Sequence, residues 1–144
     1  MEIIESHSPE ETFAVGKRLA EAAEPGDIIT LTGDLGVGKT VFVKGFAEGL
    51  GISEPVTSPT FTILSEYKTG RIPLYHFDVY RIEDEDEMYA VGLDEYLSGD
   101  GVCLIEWAER ISDLLPRDLT RVTIEKDLEK GLDYRKVTIE ECNR

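Results

Sequence analysis

The 144-residue chain has no glutamine and a single asparagine, Asn143. Scarcity of thermolabile amides is one habit of heat-adapted proteins, and the composition leans that way. Cysteine is almost as rare: Cys103 and Cys142 are too few for a disulfide framework. Cys103 stands in Gly101-Val102-Cys103-Leu104-Ile105, which reads as a buried strand with the thiol packed as a small apolar group. No apolar run approaches the ~18 residues of a membrane span. The start, Met1-Glu2-Ile3-Ile4-Glu5, has neither the basic nor the long apolar segment of a secretory signal, so the expected location is the cytoplasm. Cations are in short supply. Fifteen Lys and Arg face 30 Asp and Glu, for a net charge of −15. Nucleic acids are gripped by neutralising their phosphates, so this surface repels them, and a role in a nucleic-acid pathway is expected to run through a protein partner.

What is present reads as one α/β domain over residues 1–144. Glu2 to Glu5 is a short strand. Ser8-Pro9-Glu10-Glu11 announces a helix, with Ser8 as N-cap, Pro9 in the first turn and Glu11 placed for a capping box. Pro25-Gly26 ends it. Ile28 to Thr32 is a β-branched strand that runs straight into a glycine loop. Val43, Phe46, Ala47 and Leu50 then trace a helix stopped by Gly51. Thr60 to Tyr67 and Ile72 to Val79 are predicted strands joined near Gly70, Glu83 to Val91 a helix, and Val102 to Glu106 a strand. Ala108 to Leu115 is a short helix, and Arg121 to Glu125 with Lys136 to Glu140 a terminal hairpin.

The glycine loop is Gly33-Asp34-Leu35-Gly36-Val37-Gly38-Lys39-Thr40, a full match to G-x-x-x-x-G-K-[ST], the Walker A pattern. Each residue type has a reason. Glycines let successive backbone N–H groups turn inward onto phosphate oxygens, and the following helix adds its positive end. Lys39 reaches the β- and γ-phosphates, and the Thr40 hydroxyl is a Mg²⁺ ligand. The motif lies between a predicted strand and a predicted helix, as phosphate binding requires. Leu35, Gly36, Val37, Gly38, Lys39 and Thr40 are therefore the expected nucleotide-binding residues.

Such a loop needs an acid at the end of a neighbouring strand. Leu74-Tyr75-His76-Phe77-Asp78 and Val102-Cys103-Leu104-Ile105-Glu106 both supply one. One of Asp78 and Glu106 is expected at the metal, and the other orients the attacking water or completes the metal shell; spacing does not assign them. His76 reads as a packed, hydrogen-bonded histidine, and Trp107 as a wall of the site. Ser58-Pro59-Thr60 offers hydroxyls in a loop of the kind that closes over a γ-phosphate.

Four blocks together, Gly33 to Thr40, Ser58-Pro59-Thr60-Phe61-Thr62, Tyr75-His76-Phe77-Asp78-Val79-Tyr80-Arg81 and Leu104-Ile105-Glu106-Trp107, resemble the TsaE (YjeE) family in order and spacing, with Gly92-Leu93-Asp94-Glu95-Tyr96 fitting between the last two. The resemblance implies a P-loop NTPase-like, three-layer α/β/α fold with a mixed, largely parallel central sheet. It implies a Mg²⁺-dependent ATPase of tRNA N6-threonylcarbamoyladenosine (t6A) biosynthesis. Such a protein is not the transferase; it works on the TsaD and TsaB heterodimer and touches tRNA little or not at all. Carried over by position, Thr40 and Glu106 match the family's magnesium ligands, and Asp78 the acid near metal and γ-phosphate. Thr60 matches the switch-loop threonine, and Pro9 and Gly131 match positions bordering the nucleotide. Val37 stands where alanine is common and Val41 where threonine is. Leu132 replaces an arginine that some members carry.

Other readings fit less well. A guanine-specific switch reads its base with Asn-Lys-x-Asp, and the one asparagine is Asn143, the second-last residue of the sequence. A small kinase needs a lid of clustered arginines, which is missing. A nucleotide-sensing module with little turnover of its own remains the alternative.

Overall fold

The computed structural model describes residues 1–33, 37–57 and 63–142. Its strands are β1 (Glu2–Ser6), β2 (Ile28–Thr32), β3 (Leu64–Tyr67), β4 (Leu74–Asp78), β5 (Val102–Glu106), β6 (Leu119–Lys126) and β7 (Arg135–Cys142). They form one sheet in the order β1-β7-β6-β2-β5-β4-β3. The central run β6-β2-β5-β4 is parallel, while β1/β7, β7/β6 and β4/β3 pair antiparallel. Five of the seven strands thus point the same way, and only β3 and β7 are reversed. The sheet is mixed and mostly parallel by direction. Its two edges are short strands, β1 with Glu2 and Glu5 and the four-residue β3.

Helices α1 (Pro9–Glu21) and α2 (Lys39–Gly49) cover one face; α3 (Asp86–Val91), α4 (Leu93–Leu97) and a 3₁₀ segment (Ala108–Leu114) cover the other. Strand alternation sends Leu74, Val102 and Leu104 into the core under α1 and α2, and Tyr75, Phe77, Cys103 and Ile105 into the second core. This is a three-layer arrangement. Among the described residues no helix is long and apolar enough to cross a membrane.

Ser8 caps α1 as expected, its hydroxyl accepting from the Glu11 N–H at 3.1 Å. The Glu11 carboxylate reaches one residue further back than a capping box requires, to the His7 N–H at 2.9 Å. Helices α1 and α2 touch backbone to backbone: a Cβ on Gly16 would strike the Phe42 carbonyl, and one on Gly45 the Phe13 carbonyl. That close contact fixes where α2, and therefore its N-terminus, sits over the sheet.

Several elements differ from the sequence expectation. The helix expected over Glu83 to Val91 begins only at Asp86, and Gly92, at φ 89°, turns the chain into the separate α4. The short helix expected over Ala108 to Leu115 is a 3₁₀ segment over Ala108–Leu114, kinked at Ile111. Of the strand expected over Thr60 to Tyr67, residues 60–62 lie outside the described residues, and Leu64–Tyr67 is a strand.

Candidate functional site

The parallel pairing of β4 and β5 sets Asp78 directly opposite Glu106 at the carboxyl ends of both strands. By alternation His76, Asp78 and Glu106 face the α1–α2 side, where α2 delivers Lys39 from its first residue. Ligands of open α/β sheets bind at this end of the strands.

Three of these side chains form a buried cluster. Lys39 and Glu106 are each 6% exposed and His76 only 1%. Glu106 bridges the other two, with Oε2 2.6 Å from His76 Nε2 and Oε1 3.9 Å from Lys39 Nζ. A carboxylate accepts, so His76 donates from Nε2. Its Nδ1 is buried with no hydrogen-bond partner among the described residues. The contact with the carboxylate therefore fixes which nitrogen faces Glu106. Lys39 also lies over the Trp107 ring, 4.2 Å from its centroid.

Trp107 has φ 62°, the one non-glycine residue at positive φ among those described. Such backbone costs about 1–3 kcal/mol and gathers at functional sites. The strain turns the ring beneath the ammonium. Tyr80 packs against the same ring at 4.8 Å between centroids.

Asp78 is half-buried. Burial raises its pKa above the ordinary carboxylate value; the Tyr80 N–H, which Oδ1 accepts at 3.1 Å, works against that, and the Glu106 charge adds to the rise. Thr40 is exposed in the first turn of α2. Asp78, Glu106 and Thr40 are oxygen donors, the kind that suit Mg²⁺, which retains several waters and takes few carboxylates. No group of three His, Cys, Asp or Glu that could hold a metal occurs among the described residues. Such a cage is not what Mg²⁺ needs.

Gly38 caps α2 at φ 99°, a conformation open to glycine and costly for other residues. Beside it, Pro9, Val37, Gly38, Val41, Asp133 and Arg135 are among the residues that line a cavity of about 140 Å³. Gly131 lies at φ 130° in the β6–β7 connection that carries this wall. Pro9, Val37 and Gly38 therefore share one cavity at the α2 N-terminus, Lys39, Glu106 and Trp107 are in mutual contact with Asp78 opposite Glu106, and Gly131 does not line that cavity. Leu35, Gly36 and Thr60 lie outside the described residues. A larger groove of about 720 Å³ runs along the opposite face past Thr30 and Thr123. Its charged residues Glu109, Arg117 and Arg121 are all exposed, so the buried ion cluster, not the groove, marks the site.

Sequence reasoning read His76 as a packed, hydrogen-bonded histidine, which it is, but did not name its partner, and it missed Arg135. His76 is the partner of Glu106 from 30 positions away. Arg135 donates from Nε to the Val37 carbonyl at 2.8 Å across 98 positions. Neither distance leaves a local signal, although the buried parity of His76 in an apolar strand hinted at a partner.

The family model for "Threonylcarbamoyl adenosine biosynthesis protein TsaE" matches residues 6–137. The chain belongs to the TsaE family. Curated TsaE relatives agree: the Bacillus subtilis protein is 56% identical over 131 residues, covering 91% of this chain and 80% of that one. The Treponema pallidum TsaE is 44% identical over 119 residues, 83% of this chain and 87% of its own length. The crystal structure of Bacillus subtilis YdiB superposes with a TM-score of 0.85 at 46% identity, covering 99% of this chain and 86% of that chain. The four sequence blocks and the mixed sheet thus lead to the same TsaE assignment.

Proposed function

We propose that this chain is the ATP-binding and ATP-hydrolysing component of tRNA t6A biosynthesis. The relatives are named tRNA threonylcarbamoyladenosine biosynthesis proteins, and the chain takes its place in that pathway with them. The supporting observation is Lys39, a cation buried at the N-terminus of α2 and shared between Glu106 and the face of Trp107. A buried ammonium beside a positive-φ glycine at a helix N-terminus suits a phosphate chain. On this reading the domain is of the P-loop NTPase type.

In this reading Lys39 neutralises the β- and γ-phosphates, the Val37 and Gly38 backbone N–H groups serve their oxygens, and Leu35 and Gly36 join them by sequence position alone. Thr40 and Glu106, with Asp78 nearby, would hold Mg²⁺, which would supply charge neutralisation for the phosphates. His76 keeps Glu106 in one orientation. Asp78, opposite Glu106 at the adjacent strand end, orients the attacking water; Thr60 is assigned to the γ-phosphate by its sequence position alone. Pro9 and Gly131 border the nucleoside end, and Trp107 walls the phosphate end. The acidic surface, at −15, suits work on the TsaD–TsaB heterodimer in the cytoplasm in place of direct tRNA binding.

Calorimetric titration with Mg-ATP tests the reading. The wild type is expected to bind, and Lys39→Ala to lose on the order of 100-fold in affinity, as for a charge-assisted contact. Equal binding by both proteins, or none by the wild type even with TsaD–TsaB present, overturns it. Co-elution with TsaD–TsaB and ATP on gel filtration tests the partner.

A further inference from the structure

We infer that Arg135 is a positioning residue for the phosphate loop: by holding the Val37 carbonyl, it aims the Gly38 N–H at the bound phosphate. The inference rests on the nucleotide reading above and deepens it.

Arg135 is anchored on both sides, since its Cα pairs with Ser6 on β1 and Lys126 on β6. From that fixed point the guanidinium donates to three carbonyls. Nε reaches Val37 at 2.8 Å, and Nη1 reaches Leu132 at 2.9 Å and Tyr134 at 2.7 Å. Two of these belong to the β6–β7 connection and one to the glycine loop. One cation therefore staples the two segments together.

The consequence follows from peptide geometry. In a planar trans peptide the carbonyl of one residue and the N–H of the next point in opposite directions. Arg135 draws the Val37 carbonyl toward β7, so the Gly38 N–H must point the other way. The next peptide is held in the same manner from within the helix: the Gly38 carbonyl accepts from the Phe42 N–H at 3.1 Å, which turns the Lys39 N–H outward from the helix end. Arg135 does for the Gly38 amide what the first helical hydrogen bond does for the Lys39 amide. Gly38, at φ 99°, is the residue at which the two planes meet.

Arg135 also lines the 140 Å³ cavity with Pro9 and Val41, so a direct contact with the nucleoside end is the competing role. Long-range attraction of the guanidinium for phosphate is another. The full-length wild type, Arg135→Met and Arg135→Lys separate the three by titration with Mg-ADP and with Mg-tripolyphosphate, a probe without a nucleoside. If Arg135 positions the loop, Arg135→Met loses about tenfold in affinity for both probes, the worth of one charge-donated hydrogen bond. Arg135→Lys, which keeps the charge and loses the fork, recovers only part of that. The Gly38 amide resonance, which shifts when tripolyphosphate is added to the wild type, should shift less in both variants. Unchanged tripolyphosphate affinity, or loss for Mg-ADP alone, overturns the inference, and so does full recovery by Lys. If Arg135→Met does not fold, the Lys variant and its Gly38 resonance decide. A wild type that binds neither probe refutes the nucleotide reading itself, a separate result.

Discussion

On one side of the sheet α1 and α2 meet through Gly16 and Gly45, with no side chains between their backbones. On the other, short helices reach the sheet through Met88, Leu93, Ile111 and Tyr96, whose ring stands edge-on to Tyr75 and Phe77 at 4.8 and 5.8 Å. The first layer contains two helices of 13 and 11 residues; the second has α-helices of only six and five. The buried Lys39–Glu106–His76 cluster lies on the first side alone. Buried ions tolerate little movement, because a partner lost in low dielectric leaves a bare charge. A helix pair locked by backbone contact gives them a fixed frame, while long side chains can repack around a shift.

Four substitutions or treatments would sharpen or break that contrast. The largest effect is expected for Gly45→Val, which drives a side chain into the Phe13 carbonyl and should cost on the order of 3 kcal/mol by urea unfolding. A cost below about 1 kcal/mol would show that the helix pair can part, and the contrast would fail. Next comes His76→Leu, which leaves Glu106 Oε2 without its donor and should cost about 2 kcal/mol in the same assay. In the second layer Met88→Leu conserves volume, and its cost should stay under about 1.5 kcal/mol. A larger loss there would mean that both layers are equally intolerant.

The smallest effect concerns reactivity, not stability. Burial raises the Cys103 thiol pKa to about 12. The nucleophile is the thiolate, so near neutral pH the fold keeps Cys103 in its protonated, inert form, and reactivity rises only as pH climbs toward that value. An aromatic disulfide reagent at pH 8 should label Cys142 in the native protein and both cysteines in denaturant. Native labelling of both would show that the second layer opens readily.

Much of this was legible from residue order. The glycine loop, its flanking strand and helix, and the two strand-terminal acids stand close together in sequence or in obvious strands, and period and spacing reveal them. The β6–β7 hairpin was readable because its strands are neighbours in the chain. The sheet order was not: inserting β2 between β5 and β6, and docking β1 on β7, are long-range choices that no local pattern encodes. The end of α3 at Val91 was legible, but α4 was not, because the five residues Leu93–Leu97 are too few to show a helical period. At the site, type and position were visible for Lys39, Asp78 and Glu106. Orientation was not, because His76 and Arg135 act on residues far along the chain.

The sheet's outer strands carry a consequence for behaviour in crowded solution. An unpaired strand is a template on which another chain can stack. Here β3 gives an intruder only four residues to grip, and β1 has Glu2 and Glu5, the former tied to Arg18 at 3.0 Å. Growth of the sheet into a fibre is therefore discouraged at both margins, by brevity at one and by anionic repulsion at the other.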